Sequence, residues 1–289
     1  MQMNSRALKR AVKYLTPPAV SDTVRNFSRA LRGQKPEWEY VLEGWAVEQT
    51  DSKIKGWNVE AVLQAYQLRW DAFVHELETT GPYSASPESL SARQTDLVFH
   101  NRILIYAYGL SLASRQKKSI SMLDWGGGIG HYYLISKALV PDLEVDYYCK
   151  DVPLLAAHGQ TLFPQAHFYS DEECLSRRYD FVLASNSLHY SRDWSSTLAK
   201  LAAASEGYLL VTMLPVAHRA PSYVFVQRPY KYGYDTEYLS WCLNRVEFLA
   251  CAAQSDLELV REFITGMELP IAHAPEPCEC MAFLFRRKR

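Results

Sequence analysis

Apolar positions follow two different rhythms along the 289-residue chain. From about Val59 to Leu77 they recur at helical spacing, with Val62, Leu63, Tyr66, Trp70, Phe73 and Leu77 on one repeating face, which predicts an amphipathic helix. The stretch TTGPYSASPES interrupts that pattern, and a second helix rich in Leu, Ile and Tyr is expected from about Leu90 to Ser114. From Ile120 onward short apolar runs alternate with helical stretches, the pattern of βαβ units around a mostly parallel sheet. Strands are expected near 120–124, 144–149, 166–170, 180–185, 207–213, 257–263 and 279–286. The last two are joined by ITGMELPIAHAPEPCE, too short and too proline-rich for a crossover helix, so the sheet should end in an antiparallel hairpin. The expected fold is α/β and Rossmann-like: a seven-stranded, mostly parallel sheet with a C-terminal antiparallel hairpin, preceded by a helical N-terminal extension. Residues 1–36 form a basic arm, 37–118 the helical extension or cap, and 119–289 the α/β domain with a lid insertion at about 214–240.

A composition of 48% hydrophobic and 22% charged residues is that of an ordinary globular protein. The formal net charge of -1 lacks the basic excess of a protein that wraps nucleic acid, so no nucleic-acid partner is expected. Charge is nonetheless unevenly placed, because Arg6, Lys9, Arg10, Lys13, Arg25, Arg29, Arg32 and Lys35 face only Asp22 within the arm. Leu8, Val12 and Leu15 stand at helical spacing among those cations. A solvated helix packed on the domain satisfies this pattern, and so does peripheral contact with an anionic membrane surface. No run approaches the roughly 18 to 20 apolar residues of a membrane span. No leader pattern is visible, so the chain reads as cytoplasmic, with the inner face of the membrane as the place for any peripheral contact. The six cysteines lack paired ligand spacing, and reduced thiols without metal are expected. Cys278 and Cys280 fit alternation in a strand.

The chemistry concentrates in SMLDWGGGIGHYY, where an apolar run ends in Asp124 and is followed by Gly126, Gly127, Gly128 and Gly130. A strand, a glycine turn and a helix in that order let backbone approach a ligand at the helix N-terminus. The turn ends GIGHYY rather than Gly-Lys-Ser/Thr, which excludes the phosphate-binding P-loop. The dinucleotide spacing G-x-G-x-x-G fails as well, since His131 or Tyr133 falls where the third glycine belongs. What remains, D-x-G-x-G-x-G, resembles motif I of class I S-adenosylmethionine-dependent methyltransferases. The resemblance implies that the glycine loop wraps the amino-acid part of S-adenosyl-L-methionine, with Asp124 close to its methionine moiety. It further implies that Asp151 accepts the ribose hydroxyls, that Asp171 faces the adenine amino group, and that Asn186 to His189 lie over the cofactor.

Further segments, among them WEYVLEGWAVEQTDSKIKGWNVEAVL, DVPLL, SNSLHY and SYVFVQRPYKYGY, resemble a family of bacterial methyltransferases encoded with surface-polysaccharide biosynthesis genes. Gly56 with Trp57, the doubled Gly126 and Gly127, and Gln227 match its pattern, while His189 stands where that family commonly has glutamine. The resemblance implies methyl transfer to a sugar unit of a surface glycan or its precursor. Methylation of nitrogen or carbon of a small molecule and a non-catalytic scaffold are the alternatives. If the acceptor atom is a hydroxyl oxygen, a base near neutrality is useful, and His189 and His131 are the candidates, with Tyr190 beside the methyl site. Tyr132, Gln227 and Arg228 are the candidate acceptor contacts, the last two within the long aromatic and cationic segment expected to act as a lid.

Overall fold

Strands central to a sheet covered on both faces read as continuous apolar runs, as FVLAS and YLLVTML do here. The computed structural model describes residues 35–83 and 97–288; the basic arm, apart from its last two residues, and the expected start of the second helix lie outside the described residues. In chain order the strands are β1 (Trp38–Tyr40), β2 (Ser119–Trp125), β3 (Glu144–Lys150), β4 (His167–Tyr169), β5 (Tyr179–Ser185), β6 (Ser205–Ala217), β7 (Tyr223–Gln227), β8 (Tyr238–Asn244), β9 (Leu257–Leu269) and β10 (Cys278–Arg287). The principal helices are α1 (Glu60–Leu77), α2 (Leu97–Ala113), α3 (His131–Leu139), α4 (Pro153–Leu162), α5 (Trp194–Ala204) and α6 (Arg245–Gln254).

These strands form one ten-stranded sheet in the order β1-β7-β8-β6-β5-β2-β3-β4, with β10 also on β6 and β9 on β10. The seven expected strands are all present. β2, β3, β4, β5 and β6 run parallel to one another, β10 lies antiparallel on β6, and β9 and β10 make the antiparallel hairpin. One face of the sheet packs on α2 and α3 through Tyr106, Leu110, Tyr132 and Ile135. The other packs on α5 and α6 through Leu198, Leu201, Phe248 and Ala252. Asp193 caps α5 and Asn244 caps α6, their side chains accepting backbone N–H groups of the first turn.

Three strands exceed the expected seven. β7 and β8 arise within or at the end of the segment 214–240, and β1 comes from the extension. β5 pairs with β6 only as far as Thr212, and β8 pairs with β6 at Val216 and Ala217, while β10 holds the opposite edge there. The extra strands therefore continue the sheet beyond the end of β5. Trp38, Gln227 and Tyr238 are directly registered across β1, β7 and β8. Strand alternation turns the next residues, Arg228 and Glu237, to the opposite face. There the buried Arg228 guanidinium lies 2.8 Å from Glu39 and 3.1 Å from Glu237, and Tyr230 donates its hydroxyl to Glu237.

Removing Arg228 leaves the buried Glu237 carboxylate without its counter-ion. Arg228→Met is expected to lower unfolding free energy by about 3 kcal/mol or more, and Arg228→Lys by less, read as urea midpoints at constant slope.

Candidate active site

The β2–α3 turn holds the four motif glycines against the chain's own atoms. Gly126 has φ 74°, and a Cβ there would collide with the Cβ of Ser187, whose hydroxyl donates to the Trp125 carbonyl at 2.6 Å. A Cβ at Gly127 would collide with the Asp124 carboxylate beneath it. Gly128 donates its N–H to Asp151 at 2.7 Å, and Val152 donates to the other oxygen of the same carboxylate at 2.6 Å. Gly130 precedes the first turn of α3. Three strand ends, those of β2, β3 and β5, are thereby tied to one loop.

A cavity of about 200 Å³ opens against this loop, lined among others by Trp125, Gly126, Lys150, Asp151, Ser185 and Asn186. A second cavity of about 220 Å³ adjoins it, and Trp57, Asn186 and Tyr190 line both. The second is walled largely by aromatic rings. Trp57 stacks on Tyr238 with centroids 4.3 Å apart and meets Tyr190 edge-on at 5.1 Å. Tyr190 donates its hydroxyl to Gln227 Oε1 at 3.2 Å. Asn186 takes φ 53°, a left-handed conformation that asparagine tolerates better than most residues, and its N–H bonds the Thr212 carbonyl.

His189 also lines the second cavity, at 2% exposure. Its Nδ1 makes no hydrogen bond among the described residues, and burial pushes the imidazole down to about 3, so it is neutral throughout the physiological range. Asp124 is fully buried and lines neither cavity; it accepts the Tyr147 hydroxyl at 2.5 Å, and its Oδ1 has no partner among the described residues. Burial pushes its carboxyl up to about 7, against the opposing pull of the Tyr147 bond.

The structure thus brings together Gly126, Asp151, Asn186, His189, Tyr190 and Gln227 around the paired cavities. Four other sequence candidates lie elsewhere. His131 is buried beside Phe73 and Tyr132, outside both cavities, because it occupies the inward face of α3. Tyr132 is buried, lines neither cavity, and has its hydroxyl 2.8 Å from Ser185 Oγ. Arg228 is engaged by Glu39 and Glu237, and Asp171 is exposed, accepting the Glu173 N–H.

Residues that the sequence did not single out complete the second cavity. Arg102 enters from α2, Tyr234 from the connection after β7, and Met213 from β6. Met213 has φ 55° and sits in a bulge where Thr212 and Met213 oppose Ala282 alone, which re-aims its side chain. A lone arginine inside LVFHNRILIYAYGLSLA was the available signal for Arg102, since arginine is rarely buried without a task. The connection 228–237 is stitched down, with Arg69 donating to the Tyr232 carbonyl at 2.8 Å.

A glycine turn after the first parallel strand, an acid just past the end of the next, and a parallel sheet closed by an antiparallel hairpin define a Rossmann-like methyltransferase of class I. A family model described as a methyltransferase domain matches residues 99–260, more than half of the chain, and the chain belongs to that family. It is an S-adenosyl-L-methionine-dependent methyltransferase. Among solved structures, it is similar to an S-adenosylmethionine-dependent methyltransferase from Clostridium acetobutylicum at 9% identity, covering 65% of this chain and 91% of that one with a TM-score of 0.43. It is similar to the N-terminal domain of EvdMO1, solved in the presence of SAH and D-fucose, at 14% identity, covering 77% and 96% with a TM-score of 0.46. A third is the Burkholderia thailandensis 1,6-didemethyltoxoflavin-N1-methyltransferase with bound 1,6-didemethyltoxoflavin and S-adenosylhomocysteine, at 14% identity, covering 69% and 94% with a TM-score of 0.40. No curated protein matches the chain. No helix among the described residues is long and apolar enough to cross a membrane.

Two outcomes test this geometry. Gly126→Ala should abolish S-adenosylhomocysteine binding in calorimetry, because φ 74° and the Ser187 collision together displace the loop. Asp124 has a folded-state value raised from 3.8 to about 7, so its contribution to stability is complete below its ordinary value and is lost as pH rises through about 7. The unfolding free energy of the unliganded protein should therefore fall between mildly acidic and mildly alkaline pH relative to Asp124→Asn, which lacks this titration.

Proposed function

We propose that this methyltransferase O-methylates a sugar unit of a surface glycan or its precursor, with cofactor against the glycine loop and acceptor in the adjoining aromatic cavity. The observation carrying this reading is the shared wall: Trp57, Asn186 and Tyr190 line both cavities, so two ligands can meet there. S-adenosyl-L-methionine supplies an electrophilic methyl group carried on a sulfonium.

The chain's residues fit that group. The loop presents backbone where side chains are excluded, Asp151 offers a carboxylate to paired ribose hydroxyls, and Ser185 and Asn186 bound the far side. The buried Asp124 places negative potential under the loop when ionised. Much of the rate in such a displacement comes from alignment of the two reactants, which the packed rings Trp57, Tyr190 and Tyr238 enforce on the acceptor. These rings also give a sugar flat faces to stack on, and they exclude water.

His189 is the residue we assign to the acceptor proton. Its imidazole is neutral and therefore able to accept, and its weakness as a base is tolerable because a hydroxyl oxygen becomes strongly acidic only as it gains the methyl group. Tyr190, fixed by Gln227, orders the same wall. A non-catalytic scaffold has no use for this loop and its paired cavities.

Parallel calorimetric titrations with S-adenosylmethionine, S-adenosylhomocysteine and NADH should show binding of the two adenosyl ligands only. Binding of neither would overturn the cofactor assignment. Asp151→Ala should weaken S-adenosylhomocysteine by about tenfold or more, the worth of charge-assisted hydrogen bonds. His189→Ala should lower methyl transfer by about 10²-fold while cofactor affinity stays unchanged. An unaffected rate would return His189 to a packing role.

A further inference from the structure

The side chains around the second cavity fall into two groups. Around Trp57, which also borders the first cavity, stand Tyr190, Tyr234 and Tyr238, with ring centroids 5.1, 6.0 and 4.3 Å from its own. His189 packs on Tyr190 at 4.1 Å, and Asn186 lines both cavities. Trp38, Val98, Met213, Phe225, Met267 and Leu269 line the same cavity from a separate apolar cluster, to which the buried Cys280 thiol also belongs. The row Trp38, Gln227 and Tyr238 across β1, β7 and β8 runs from one group to the other, since Trp38 packs on the apolar cluster and Tyr238 stacks on Trp57. The cavity therefore has a tyrosine end beside the first cavity and an apolar end built chiefly by β6, β9 and β10. Arg102 is held against the Phe99 ring, its guanidinium carbon 4.9 Å from the centroid.

Sugar hydroxyls at the tyrosine end meet hydroxyls, an amide and an imidazole that donate and accept. A hydroxyl among Met213, Met267 and Leu269 meets neither donor nor acceptor and loses its water, which is the cost of a buried unsatisfied group. A hydrocarbon group gains from burial in the same place, and the two unbranched thioether side chains adapt to its shape. At about 220 Å³ the cavity lies below the roughly 300 to 1,000 Å³ of sites for drug-sized ligands, so it takes a single ring rather than a disaccharide or a lipid chain.

We propose that Met213, Met267 and Leu269 form a subsite for an apolar edge of the acceptor and so select a deoxysugar. Such a ring turns its hydroxyls to Trp57 and the tyrosines, and sets a methyl group where a common hexose carries a hydroxymethyl. The inference rests on the acceptor-cavity reading above and names the substrate class of that site. It gives the bulge in β6 a use, because the left-handed Met213 there turns its side chain to the cavity.

The test is calorimetry on the full chain saturated with S-adenosylhomocysteine. The probes are methyl β-D-glucoside, methyl β-D-galactoside and methyl α-L-mannoside, each beside its 6-deoxy counterpart, together with 4-methylphenol. At least one sugar pair is expected to bind, the 6-deoxy member about tenfold more tightly, as the penalty of one hydroxyl buried without a partner warrants. Met267→Gln puts an amide at the apolar end and should bring that ratio to about one, whereas Met267→Leu should keep it, with S-adenosylhomocysteine affinity unchanged in both as the check on folding. A sugar pair that binds without favouring the deoxy member, or a preference that survives Met267→Gln, overturns the subsite and leaves the sugar reading standing. Binding of 4-methylphenol with no sugar bound, lost in Met267→Gln, supports the apolar subsite and overturns the sugar reading instead. If that binding persists in Met267→Gln, or no probe binds, both are overturned.

Discussion

One hydrogen bond ties two strand ends together beside the first cavity: the Gly128 N–H donates to the Asp151 carboxylate at 2.7 Å. It couples the glycine turn after β2 to the end of β3, and the Ser187 hydroxyl couples the same turn to the end of β5. Both ties require that the loop carry no side chains, since a Cβ at Gly126 or Gly127 meets protein before it meets any ligand. The glycines thus serve the protein's own packing. A carboxylate held by two backbone N–H groups is also oriented before a ligand arrives, which removes an ordering cost from binding.

The two cavities are built from different elements. Parallel strand ends and the loops that follow them line the first. β1, β7 and β8 give the second a transverse row of side chains, Trp38, Gln227 and Tyr238, backed by the buried Arg228 cluster. The loop after β5 thus meets an added sheet at the wall the two cavities share. His189, in that loop, is buried and neutral beside the second cavity.

Local pattern carried the seven strands of the α/β domain, because buried parallel strands leave short apolar runs between helical periods, and it carried the glycine turn, because glycines between an apolar run and a helical stretch mark a tight turn. It did not carry β7 and β8. YVFVQ and YLSWCLN are β-branched and aromatic enough for strands, but they lie among Arg, Lys, Pro and Tyr and are covered on both faces, so no alternation marks them. Nor does sequence distinguish His131 from His189. Each follows a strand-end loop, and only the packed structure turns one into a helix interface and the other into a cavity. The same holds for cations. Arg228 lies in the aromatic segment and is consumed by Glu39 and Glu237, while Arg102, inside an apolar helix, faces the acceptor cavity. Periodicity and glycine spacing, which are local properties, determined the fold and the glycine loop. The direction in which each polar side chain points depends on contacts between residues far apart in the chain, and these only the tertiary structure decided.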